Sequence, residues 1–110
     1  MNIFSVPELA ARAVANHPAR PAMMLAHDSA DARLLVFRIE PGQAVPIHTN
    51  LSAVTLIVVA GRGIVSGAQD DRVVGVGDIV TYDRGEPHGM RAADEVFVLA
   101  ALISPSPSSH

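Results

Sequence analysis

His48 is the first residue in this chain suited to chemistry. It lies in the stretch Glu40–Gly61, which begins with a Pro-Gly turn, sets a histidine, an asparagine and hydroxyl residues around a polar break, and then runs apolar to a glycine. Turn, polar cluster, buried strand and turn in that order place side chains at the rim of a β-barrel or sandwich. A second histidine, His88, follows 40 residues later. A neutral imidazole can orient a ligand by hydrogen bonding, exchange protons near neutral pH, or coordinate a metal. Spacing alone leaves both histidines readable as polar side chains at strand ends.

Other chemistries are excluded by composition. The 110 residues contain no cysteine, which removes disulfides, thiolate metal sites and cysteine nucleophiles. They contain no lysine, which removes Schiff-base chemistry and the phosphate-loop lysine. Eight arginines face eleven carboxylates, for a net charge of −3, and they form no basic run. The aromatic residues are Phe4, Phe37, Phe97 and Tyr82. Neither a phosphate-tracking groove nor a base-stacking platform follows, so no nucleic-acid partner is expected. No basic segment leads into an apolar one, and no apolar run could span a bilayer, so a cytoplasmic protein without a membrane partner is expected.

The elements that must position the histidines form one domain over residues 1–103. Ser5-Val6-Pro7-Glu8 reads as a capping box, and Val6, Leu9, Ala10, Ala13 and Val14 recur at helical spacing. A short N-terminal helix is expected from Val6 to about Asn16 (residues 5–16 with its cap), ended by Pro18 and Pro21. Residues 22–103 then read as about eight short strands separated by Gly, Pro and Asp turns: 22–27, 33–40, 45–48, 54–60, 63–66, 72–76, 79–82 and 95–103. The pattern predicts an all-β sandwich or barrel. Val54–Ala60 and Val96–Ile103 are apolar on both faces, more than one small helix can cover, and a homodimer packing sheet faces together is expected. Ser104–His110 is a low-complexity tail expected to be disordered, and His110 is not counted as a ligand.

Two spaced motifs in this frame resemble those of the cupin superfamily. The first pattern, Gly, five residues, His-x-His, three or four residues, Glu, six residues, Gly, is followed here by Gly42, His48, Asn50 for the second histidine, Val54 for the glutamate, and Gly61. The second, Gly, five residues, Pro-x-Gly, two residues, His, three residues, Asn, reads Gly77, Asp83 for proline, Gly85, His88, and Ala92 for asparagine. The frame covers roughly half the chain. The resemblance implies a double-stranded β-helix, a cupin-type jelly-roll barrel, with His48 and His88 pointing into one cavity.

Of the four metal-ligand positions the family pattern implies, His48 and His88 carry imidazoles, Asn50 offers a neutral amide oxygen and Val54 offers nothing. Half of a complete zinc site is worth roughly 5–8 kcal/mol, equivalent to dissociation constants of about 0.1 mM to 1 µM. No firm cofactor is expected, and at most a weakly bound divalent metal. The expected ligand-contacting residues are His48, Asn50, Val54, Tyr82, His88 and Met90. His27 reads as a solvated strand-end residue, Asp83 as a turn residue, and Met23 and Met24 as core filler. A cupin binding a small molecule in its barrel is the first expectation. A metal-dependent oxygenase or isomerase using His48 and His88 is the alternative, and a dimeric structural or interaction protein is the third.

Overall fold

Ser5 opens the first element as its capping signal requires: its hydroxyl accepts from the Glu8 amide at 3.4 Å, with Pro7 in the first turn. In a computed structural model, which describes residues 1–107, the resulting helix α1 runs Val6–Arg12, four residues short of the expected Asn16. Ala13 turns to extended backbone at ψ 145°, and the Val14 carbonyl accepts from the Met23 amide at 3.1 Å in an isolated β-bridge. Val14 is β-branched and finds a strand partner there, so helical periodicity in the sequence gives way to tertiary pairing.

Among the described residues α1 is followed by nine strands: β1 (Ala22–Asp28), β2 (Arg33–Ile39), β3 (Ala44–His48), β4 (Ala53–Ala60), β5 (Arg62–Ser66), β6 (Asp71–Gly75), β7 (Ile79–Tyr82), β8 (His88–Ala92) and β9 (Phe97–Ser104). They form two antiparallel sheets, one ordered β1-β2-β9-β4-β7 and the other β3-β8-β5-β6. Eight of these strands match expected ones to within two residues at each end. The exception is β8, whose His-Gly-Met-Arg-Ala sequence carries no β-propensity signal.

Inward residues of the two sheets meet in one core that includes Ile39, Leu56, Phe97 and Leu99 from the first sheet and Val65, Met90 and Ala92 from the second. On the outer face of the first sheet, α1 packs Val6, Leu9 and Ala10 over Val36, Val59 and Val98, and the Arg38 guanidinium donates to the Ala10 carbonyl. The helix covers only one end of that face. Ile57 of β4, Leu102 of β9 and Ile79 of β7 remain 42%, 40% and 64% exposed, so the helix leaves part of this apolar second face uncovered. No helix among the described residues is long and apolar enough to cross a membrane.

The expected tail needs correction over residues 104–107. Ser104 is the last residue of β9, Ser52 donates its hydroxyl to the Pro105 carbonyl at 2.6 Å, and Ser106 is buried with its hydroxyl bonded to the Asp28 carboxylate. Small hydroxyl side chains anchor a segment that its composition assigns to solvent. Residues 108–110, including His110, lie outside the described residues.

Candidate functional site

β3 and β8 are antiparallel neighbours, and their register sets His48 directly opposite His88. The two rings lie 4.2 Å apart between centroids and are tilted by 57°. Strand alternation by itself would not put Val45 and His48 on one face, since they are an odd number of residues apart. The register slips between them, and this bulge at Pro46-Ile47 turns His48 back toward Val45 and the interior. Pro46 has no amide hydrogen to give to the ladder, so the irregularity costs no donor at that residue.

The imidazoles are anchored alike. Nδ1 of His48 lies 2.8 Å from the Pro46 carbonyl, and Nδ1 of His88 lies 3.0 Å from the Glu86 carbonyl. A carbonyl oxygen only accepts, so in each neutral ring Nδ1 carries the hydrogen and Nε2 keeps its lone pair. The pair therefore offers two acceptors. His88 is buried, whereas His48 sits at the exposed rim.

Burial pushes the His88 imidazole below its ordinary value of 6.5, and the adjacent His48 adds to this, against the pull of the Glu86 carbonyl. The unfolded chain thus binds this proton more readily. Stability is present in full above about pH 6.5 and is lost as pH falls through the lowered folded value. Asp28, held down mainly by its bond with Arg33, and Asp71, by bonds from Ser66 and Arg91, act only below their ordinary 3.8. Denaturation midpoints followed from neutral pH toward 4 should therefore decline, and His88→Gln should flatten that decline. An unchanged slope in the variant contradicts the assignment.

The histidines line a cavity of about 540 Å³ between the sheets, within the range of about 300–1,000 Å³ usual for small-molecule sites. Leu35 and Phe37 of β2, Val54 and Leu56 of β4, and Ala101 and Ile103 of β9 form one wall; Val45 of β3 and Met90 of β8 form the other. The strap between α1 and β1 contributes Val14, Asn16, Arg20 and Pro21. The opposite half of the barrel is solid, filled by Phe97, Ile39, Val58 and Leu99.

Of the residues singled out by sequence, His48, Asn50, Val54, His88 and Met90 all line this cavity. Tyr82 does not: it is buried in the core, its ring 5.1 Å from that of His88 and its hydroxyl donating to the Ser66 carbonyl at 2.9 Å. His27 is exposed on β1, beside Phe4. Asp83 sits in a turn, its amide bonded to the Glu86 carboxylate at 2.9 Å. Sequence reasoning missed Arg20 and Asn16, and it assigned Met23 to the core rather than the cavity. Arg20 has only its position between Pro18 and Pro21 as a signal, with nothing local to show that the strap crosses the barrel mouth.

A resident metal does not fit these donors. Among the described residues no three His, Cys, Asp or Glu side chains come together as a metal site. Val54 is buried and apolar, and the Asn50 side-chain oxygen already accepts from the Ser52 amide at 2.9 Å. Two imidazoles are left, fewer than the three protein ligands usual for a catalytic zinc.

Fold and site together define a small β-barrel protein with a two-imidazole pocket. The chain belongs to the cupin family, since residues 35–103 match the model of the cupin domain. A comparison with curated protein sequences finds no match. Among solved structures, the chain is similar to a double-stranded β-helix domain protein from Klebsiella pneumoniae (24% identity, TM-score 0.84, covering 97% of this chain and 92% of that one). It is also similar to TT1209 from Thermus thermophilus (21%, TM-score 0.85, covering 97% and 100%). An RmlC-like cupin protein from Desulfovibrio desulfuricans matches at 25% identity and TM-score 0.74, covering 86% and 91%. These similarities establish the double-stranded β-helix fold.

Proposed function

We propose that the chain binds a small organic molecule in the barrel cavity, the His48–His88 pair engaging the ligand's polar end, without a resident metal. The observation that carries this reading is the hollow half of the barrel, where two carbonyl-anchored imidazoles sit in an otherwise largely apolar wall. An apolar wall desolvates the body of a ligand, and a few convergent polar atoms orient it. Protein purified without added metal should hold no stoichiometric transition metal by elemental analysis. Added zinc should bind with a dissociation constant of about 1 µM to 0.1 mM, and His88→Ala should abolish that binding in calorimetry. A stoichiometric metal that survives dialysis sinks the proposal.

A second reading, a metal-dependent cupin enzyme, is favoured by one observation. Holding Nδ1 on a carbonyl is how proteins orient metal-binding histidines, and both rings are held so. The same elemental analysis separates the two readings. Homodimerisation is also proposed, with a second copy covering Ile57, Ile79 and Leu102, and sedimentation reads it directly.

A further inference from the structure

Arg20 is the one formally charged side chain among the described residues lining the cavity, and no aspartate or glutamate lines it. Arg33, Arg72 and Arg91 each hold an aspartate, and Arg38 holds the Ala10 carbonyl. The Arg20 guanidinium has no such partner among the described residues. Its backbone is nevertheless fixed. The Arg20 amide donates to the His17 carbonyl at 3.0 Å, the Ala19 carbonyl accepts from the Ala44 amide at 3.1 Å, and the Gln43 side chain donates to the Pro18 carbonyl at 3.2 Å. An unused fork of guanidinium donors thus extends from a fixed backbone at the edge of an apolar cavity.

We propose that the cavity takes an organic monocarboxylate with an apolar body and a hydrogen-bond donor at its far end, the carboxylate on Arg20 and the donor on the His48–His88 pair. The proposal rests on the cavity-binding reading above and specifies its ligand class. A planar guanidinium pairs with a carboxylate through two parallel hydrogen bonds. One positive charge balances one negative charge, whereas a phosphate dianion would leave excess charge against a wall of Leu, Phe and Val. At the histidine pair, both Nε2 atoms are acceptors, so a neutral imidazole pair meets a hydroxyl there and repels a second carboxylate.

The test uses the full chain with ω-hydroxyhexanoate, ω-hydroxyoctanoate and their methyl esters, titrated by calorimetry and by amide NMR shifts of cavity residues. The acids should bind about tenfold to a hundredfold more tightly than the esters. Arg20→Gln should erase that preference, weakening the acids far more than the esters, with Arg20→Lys restoring part of it. Arg20 is exposed and has no side-chain partner among the described residues, so its variants should keep the wild-type amide spectrum. His48→Ala should weaken acids and esters alike. Equal affinity for acid and ester, or a preference that survives Arg20→Gln, overturns the assignment to Arg20 and leaves the cavity-binding reading standing. Failure of every acid and ester to bind overturns both.

Discussion

Phe97→Ala is expected to lower the unfolding free energy by about 3–5 kcal/mol, the largest single-residue effect in this chain. Phe97 is fully buried at the start of β9, opposite Ile39 of β2, and its ring crosses the sandwich to lie over Gly63 of β5. A Cβ on Gly63 would come within 2.2 Å of the ring, so the glycine is the space that the phenyl group fills. Truncation removes the apolar transfer energy of the ring and leaves a void that two hydrogen-bonded sheets cannot close. Denaturant midpoints read the loss, and a double-mutant cycle tests its cause. Gly63→Val overpacks the wild type but refills the space in Phe97→Ala, so the paired variant should be more stable than the sum of the single changes. Strict additivity would contradict the packing argument. Because Phe97 belongs to the solid half of the barrel, a destabilised but folded variant should still hold its His48–His88 pair.

Gly89→Val is expected to have a large effect and to strike the site itself. Gly89 lies between His88 and Met90 on β8, and the bulged backbone of β3 passes directly over it. A Cβ there would lie 2.9 Å from the Val45 carbonyl oxygen and 3.0 Å from the Ile47 amide nitrogen, contacts that only backbone movement can relieve. Displacing β3 carries His48 away from His88. A loss of about 1–3 kcal/mol should therefore be accompanied by loss of zinc and ligand binding to the level of His48→Ala. Gly75→Ala is the control, because its Cβ would meet only the Arg62 side chain at 3.6 Å. If Gly89→Val leaves the imidazole NMR signals and binding unchanged, the close approach does not position the pair.

The positions of the motif glycines were legible in the sequence for a reason the structure makes plain. Gly42, Gly61, Gly77 and Gly85, which frame the two motifs, are the four glycines with positive φ. At Gly61 the demand is doubled, since a Cβ would also fall 1.9 Å from the Val96 carbonyl oxygen. β8 was not legible, because a strand written His-Gly-Met-Arg-Ala owes its conformation to β3 and β5 on either side rather than to its own residues. The placement of Tyr82 was equally undecidable, since alternation says that it points inward and only packing says that the solid core, not the cavity, receives it.

Beyond the pairing of the two histidines, which came from the resemblance to cupins, the sequence by itself determined the class of fold, the turns, and the absence of thiol and lysine chemistry. These depend on local backbone geometry and side-chain type, which each short stretch carries within itself. Only the tertiary structure decided that a bulge turns His48 inward, that the side-chain oxygen of Asn50 is already bonded, that half the barrel is hollow, and that Arg20 reaches its edge. Those facts depend on distances between segments far apart in the chain, where register and close approach, rather than local preference, determine which side chains meet.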